Sequence, residues 1–186
     1  MYPLPVVAIQ FPAWARLKNR RRAHVERVAS LCAVWAAEMG VSAAERDRWL
    51  RAATLHDALK DAPEDLLIDL APDAWDVPGL RHGPAAAERA AQDGETDRGV
   101  LDAVRYHSVG YKNWDSVGRI LYLADYLEPG RSSYLAEQEL LLQRVPHDLE
   151  NVLRTVASQR IADAVMSGSR LLAETTAFWN DLVCGS

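Results

Sequence analysis

Apolar positions recur along this chain at helical spacing, and strict alternation of apolar and polar residues is missing. From about Arg20 to Met39, Val25, Val28, Ala29, Leu31, Cys32, Trp35 and Ala36 form one wide apolar face, and Gly40 supplies a stop. Ser42 and Glu45 have the spacing of a capping box, which opens a second helix through Trp49, Leu50, Ala53 and Leu55 to about Lys60. Pro63 begins a short third helix. Pro72, Pro78 and Gly79 mark a loop, followed by an alanine-rich helix from about His82 to Gln92 that Gly94 closes. Further helices are predicted over Asp97–His107 and over Ser116–Glu128, the latter stopped by Pro129 and Gly130. Segments over Tyr134–Arg144, His147–Ser167 and Ser169–Leu182 complete the chain. No stretch has the β-branched alternation of a strand, and no repeat, low-complexity tract or linker divides the chain. The pattern predicts an all-α fold, a single-domain helical bundle over residues 1–186.

Composition narrows the choice of partners. With 49% apolar residues in 186, the chain can bury a substantial core without disulfides. Its two cysteines, Cys32 and Cys184, lie far apart and form no pairing framework. Net charge is −5 and the pI is about 5.5, a balance that repels nucleic acid and anionic lipid, so neither nucleic acid nor membrane is expected as a partner. An anionic substrate must then be captured by local positive charge. No uncharged run is long enough to span a bilayer. The stretch Met1–Trp14 has no basic start and is interrupted by Pro3, Pro5 and Pro12, so a cytoplasmic location is expected.

Four of the five histidines fall within helical segments among apolar residues, where a polar ring needs a reason. Taken singly, such a histidine is more often a satisfied core residue than a ligand, so the number occurring together decides. His56 and Asp57 are adjacent, which on a helix places their side chains about 100° apart and lets both approach one point. Asp57 has two oxygens and can bridge a second ion. Asp125 lies among Val117, Ile120, Leu121, Leu123, Ala124 and Leu127, where an unpaired carboxylate is strongly unfavourable. Either a metal or an arginine such as Arg119 or Arg131 must balance it. His107 follows Val100 and Val104 on one helical face and should point inward.

A lone histidine, an adjacent His-Asp pair, two separated histidines and a final aspartate, all on helices, resemble the HD superfamily of metal-dependent phosphohydrolases. The likeness runs from Arg20 to Arg131, a metal-site core of about 20–131 followed by C-terminal helices of about 134–182. The strings His24-Val-Glu-Arg-Val, Leu55-His-Asp-Ala-Leu-Lys60, Tyr106-His-Ser-Val-Gly110 and Ala124-Asp-Tyr-Leu-Glu-Pro-Gly-Arg131 are most similar to the YqeK-type symmetrical diadenosine-tetraphosphate hydrolases. Two departures stand out. Ser108 and Val109 occupy positions where that family has threonines, and Gly83-Pro84-Ala85 stands where it has Ala-Pro-Val.

The resemblance implies two metal ions. His24, His56, Asp57 and Asp125 would hold one, and Asp57, His82 and His107 the other. Iron is the metal that the family implies, while imidazole and carboxylate also suit manganese, cobalt or zinc. The implied reaction is attack by a metal-bridging hydroxide on an inner phosphorus, cutting diadenosine tetraphosphate into two ADP. Asp57 carries catalysis in this reading, with Lys60 and Arg131 as catalytic and phosphate-binding cations. Ser108, Gly110 and Trp114 are the remaining candidate substrate contacts, with Trp114 placed to stack on adenine; Trp35 and Trp49 look like core. Arg20, Arg21 and Arg22 read as a solvated helix start. The partner is a small nucleotide, and a homodimer is left open. The alternatives are another HD phosphohydrolase acting on nucleotides and a nucleotide-sensing HD protein without turnover.

Overall fold

The computed structural model describes residues 4–77, 79–130 and 136–184. Among these the chain forms α1 (Asn19–Glu38), α2 (Ala43–Leu55), α3 (Glu64–Leu70), α4 (His82–Gln92), α5 (Arg98–Tyr106), α6 (Ser116–Leu127), α7 (Ala136–Arg144), α8 (Leu149–Met166) and α9 (Ala173–Cys184), with no strand. The fold is all-α and the expected elements recur in order.

Local chemistry sets most of the boundaries. Gly40, at φ +64, ends α1, with Val41 N–H donating to the Ala36 carbonyl and Gly40 N–H to that of Ala37. That pair of bonds satisfies carbonyls that a helix end leaves open, and a Cβ is disfavoured at this φ. Ser42 caps α2 by accepting from Glu45 N–H at 3.1 Å. Asp97 caps α5 through Gly99 N–H and Val100 N–H, and Asp115 caps α6 through Val117 N–H.

Two boundaries differ from the sequence reading. α2 ends at Leu55 rather than near Lys60, because residues 56–61 continue as tight turns, with Ala58 N–H on the Leu55 carbonyl and Lys60 N–H on that of Asp57. α9 begins at Ala173 rather than Ser169, since Gly168 adopts φ +71 after α8 and residues 169–172 are not helical. The expected start of the seventh helix at Tyr134 lies outside the described residues.

α6 is the axis of the bundle and packs against α1, α2, α5, α7 and α8. Its residues Val117, Ile120, Leu123, Ala124 and Leu127 are fully buried, together with Trp35, Leu31, Leu142, Leu153 and Val156. Burying each large apolar side chain contributes about 1.5–3 kcal/mol. A smaller cluster of Leu59, Leu67, Ala85, Ala86 and Val104 joins α3 and α4 to α5. Here small residues matter. A Cβ on Gly83 would lie 2.9 Å from the Arg105 carbonyl oxygen and 3.0 Å from that of Val104, so α4 rests directly on the backbone of α5. No helix among the described residues is long and apolar enough to cross a membrane.

Candidate metal centre

Six polar side chains meet where α1, the turn after α2, the start of α4, the end of α5 and α6 converge. All six are buried: His24, His56, Asp57, His82, His107 and Asp125. The turn that carries His56 and Asp57 is strapped from outside by the segment before α1, through Arg16 N–H to the Ala58 carbonyl (2.7 Å) and Lys18 N–H to Asp61 Oδ2 (2.8 Å). Close α4–α5 packing brings His82 Nε2 to 3.1 Å from His107 Nε2.

Asp57 divides its two oxygens between two groups. Oδ2 faces His24 Nε2 at 3.7 Å and His56 Nε2 at 3.6 Å, while Oδ1 faces His82 Nε2 at 3.1 Å and His107 Nε2 at 3.6 Å. Asp125 Oδ1 lies 3.2 Å from His24 Nε2. In each of the groups His24–His56–Asp57 and Asp57–His82–His107, the potential ligand atoms lie within 4.8 Å of one another.

The hydrogen bonds around the rings fit metal ligation. His56 Nδ1 donates to the Ala53 carbonyl at 2.7 Å and His107 Nδ1 to the Val104 carbonyl at 2.8 Å, which leaves each Nε2 lone pair directed at the cluster. His24 Nδ1 is held by Glu128 Oε1 at 3.1 Å, and Glu128 is fixed by Arg27 at 2.5 Å and Gly130 N–H at 2.8 Å. Lys60 Nζ lies 3.3 and 3.4 Å from the two ring nitrogens of His82, against the ring.

The protonation equilibria follow from burial and partners. Burial pushes His56 and His82 down to about 4, so both rings are neutral near pH 7. Burial also opposes the charge on Asp57, but His56, His82 and His107 outweigh it and hold the carboxyl well below the usual range. For His24 burial is again opposed, here by bonds to Asp125 and Glu128, and the imidazole rises to about 9. Glu128 resists burial through His24, Arg27 and Gly130 and falls to about 2. Neutral imidazoles, as at His56 and His82, and ionised carboxylates are the forms a first-row divalent metal binds. A cation beside Asp57 and Asp125 would displace the proton that these carboxylates hold on His24, so the donor set fits such ions.

An open pocket of about 390 Å³ lies over the cluster, lined by Arg21, Asp57, Lys60, His107, Ser108, Asp125, Tyr126, Arg160 and Asp163. A larger groove of about 620 Å³ runs between residues 8–13 and α2, away from this chemistry. Lys60 reaches the pocket from a turn, not from the helical face expected of it. Ser108 lies at its edge, with Oγ 3.0 Å from His107 Nε2.

Several expectations need correction. Trp114 is core: it is 6% exposed, packs on Gly118, Tyr122 and Phe178, and donates Nε1–H to the Asp102 carbonyl, so it presents no free face to adenine. Gly110, at φ +88, is buried beneath Phe178 and serves the turn after α5, outside the pocket. Of the two arginines named for Asp125, Arg119 pairs with Glu150 instead and Arg131 lies outside the described residues; among the described residues Arg160 of α8 meets Asp125 at 2.7 Å.

Arg21, read as solvated, places Nη1 2.7 Å from Asp57 Oδ2; its position three residues before His24, one helical turn away, was the available signal. Arg160 was missed although it continues the apolar stripe Leu153, Val156 and Ala157 by a further turn, where an arginine is out of place unless it meets an acid.

A helical protein with two histidine groups sharing one aspartate is, by fold and donor set, built to hold metal ions. The HD domain family model matches residues 21–130, more than half of the chain, and the protein belongs to that family. Similar proteins include one from Bacillus subtilis named bis(5'-nucleosyl)-tetraphosphatase, symmetrical, at 27% identity over 64% of this chain. A protein of the same name from Halalkalibacterium halodurans is 28% identical over 56% of the chain. The matches span 61% and 55% of those relatives' own lengths, under two thirds in each case. In fold, the chain is similar to a crystal structure described as a predicted HD superfamily hydrolase involved in NAD metabolism from Clostridium acetobutylicum, with a TM-score of 0.77 at 23% identity, over 91% of this chain and 92% of that one.

Proposed function

We propose that this protein is a metal-dependent phosphoanhydride hydrolase that cuts dinucleoside tetraphosphates symmetrically, turning diadenosine tetraphosphate into two ADP. The observation that carries the reading is the division of the Asp57 oxygens between two separate histidine pairs in a pocket that Arg21 and Lys60 also line. The name shared by the Bacillus and Halalkalibacterium relatives supports the substrate.

His24, His56, Asp57 and Asp125 would hold one ion, and Asp57, His82 and His107 a second. When bound, such ions polarise a phosphoryl oxygen and bring the pKa of water toward neutrality, to about 7 in favourable cases. The donor set suits iron, manganese, cobalt or zinc, and iron is proposed from the family resemblance. The chain's own residues supply the rest. Arg21 and Lys60 stand beside Asp57 and offer a forked and a point charge to phosphate oxygens in a protein whose net charge is −5. Ser108 offers a hydroxyl at the same edge, and Arg131 remains a proposed phosphate contact from the sequence. Burial of the cluster itself strengthens the electrostatic interactions its charged groups make with a phosphate seated over them.

The test supplies diadenosine tetraphosphate and each metal to the protein and follows products by chromatography. ADP as the sole product is expected. ATP with AMP would reject symmetrical cleavage, and no product with any metal would reject the activity.

A further inference from the structure

The HD domain match stops at residue 130, yet one wall of the metal centre comes from α8. We infer that Arg160 is a positioning residue that aims Asp125 and ties together the two halves of the cluster, so that the centre is completed by a helix outside the matched region. The inference rests on the metal-binding reading above and goes beyond it.

A carboxylate turns about its terminal torsion with little preference, so Asp125 needs an external constraint to hold one oxygen toward His24. Arg160 Nη2 donates to Asp125 Oδ2 at 2.7 Å, while Oδ1 stays 3.2 Å from His24 Nε2. On its other arm, Nη1 donates to the His107 carbonyl at 3.2 Å and approaches that of Ser108 at 3.5 Å. Those carbonyls close the C-terminal end of α5, where a helix leaves acceptors unmatched and where positive charge is favoured. One guanidinium therefore touches Asp125 of the first group and the backbone of His107 of the second.

Its plane is held in turn. The guanidinium carbon lies 4.3 Å from the ring centre of Tyr122 and 5.2 Å from that of Tyr126. Tyr122 is core, wedged against Trp114 and Phe178, so the support is rigid. A lysine has the charge but a single donor group, and it cannot span Asp125 and the α5 terminus at once.

The test titrates metal-free protein with Mn²⁺, followed by calorimetry and by the electron paramagnetic resonance of free Mn²⁺, with helicity checked by circular dichroism. The unaltered protein binds Mn²⁺, and Arg160→Ala weakens one class of site by about 10–100-fold. Arg160→Lys keeps the charge and an aliphatic stem of similar length, folds even where Arg160→Ala does not, and shows a comparable loss. In an Asp125→Asn background the further effect of Arg160→Ala is smaller than in the unaltered protein, because the part that runs through Asp125 is already lost and only the arm to the His107 carbonyl is left to remove. Wild-type affinity in folded Arg160→Lys, or a full additional loss in the Asp125→Asn background, would overturn the positioning role. Failure of the unaltered protein to bind any Mn²⁺ would instead overturn the metal-binding reading, and this inference with it.

Discussion

Asp57 sits within reach of four imidazoles and one guanidinium, and among the described residues it alone belongs to both histidine groups. Asp57→Asn keeps the size but loses one carboxylate oxygen and the charge, so it should abolish turnover and weaken Mn²⁺ binding at both groups by at least about 100-fold. A titration showing loss at one group alone would contradict the bridging role. Glu128 tests the support behind the cluster. Its carboxylate is almost wholly buried and shared among His24, Arg27 and Gly130 N–H. Glu128→Gln keeps the shape and removes the charge, and should cost about 1–3 kcal/mol of stability and 10–100-fold in metal affinity. Chemical denaturation and Mn²⁺ titration measure the two effects separately.

The helices reach the centre by close packing and by charge at their ends. A Cβ on Gly83 would meet two carbonyl oxygens of α5 and, at 3.3 Å, the His107 ring. Gly83→Ala should therefore push α4 outward, cost about 1–3 kcal/mol and lower the melting temperature by roughly 2–4 °C per kcal/mol. Because His82 and His107 ride on the two displaced helices, metal affinity should fall as well. Elsewhere Arg48 of α2 joins Asp97, Asp115 and Glu45, the first two being the N-caps of α5 and α6. The hydrogen bond from Arg48 holds the Asp97 carboxyl below its usual range. Its stabilisation is thus fully present above the ordinary carboxylate pKa, about 3.9, and is lost as pH falls through the lower folded value. Asp97→Asn, which still caps, should flatten the acid limb of the stability curve, while Asp97→Ala should remove about 1 kcal/mol more through the lost cap. Sequence patterning reached far at this scale, since periodicity, Ser42, Gly40 and Gly94 each act locally and mark their own helix ends. It failed at residues 56–61, where the chain must turn away from the helix axis for Asp57 to face both groups, a demand set by partners distant in sequence. It failed for Trp114 for a similar reason. Nearness to His107 along the chain said nothing of the side on which Gly118 and Phe178 would receive the indole.

The whole bundle depends on segments beyond the family match. Leu142, Val145, Val152, Leu153 and Val156 are fully buried, and they belong to the core that surrounds α6. A fragment ending at Gly130 would expose that face of α6 and lose the Arg160 contact, so it should show no cooperative thermal transition. A sharp transition near that of the full chain would contradict this. Charge belongs to this scale too. With an overall balance of −5 and cations gathered at one pocket, nucleotide affinity should fall as salt rises, more steeply than metal affinity does. The ligand positions themselves have a final consequence. They run from His24 to Asp125 and are drawn from five separate segments, so no stretch of unfolded chain can offer the same cage. Ions that seat only in the native form act as a thermodynamic ballast, adding about 2.7 kcal/mol at a hundredfold excess over the dissociation constant. A chelator should thus lower the heat tolerance of this protein progressively, and the cell's supply of transition metal would govern how long each folded copy lasts.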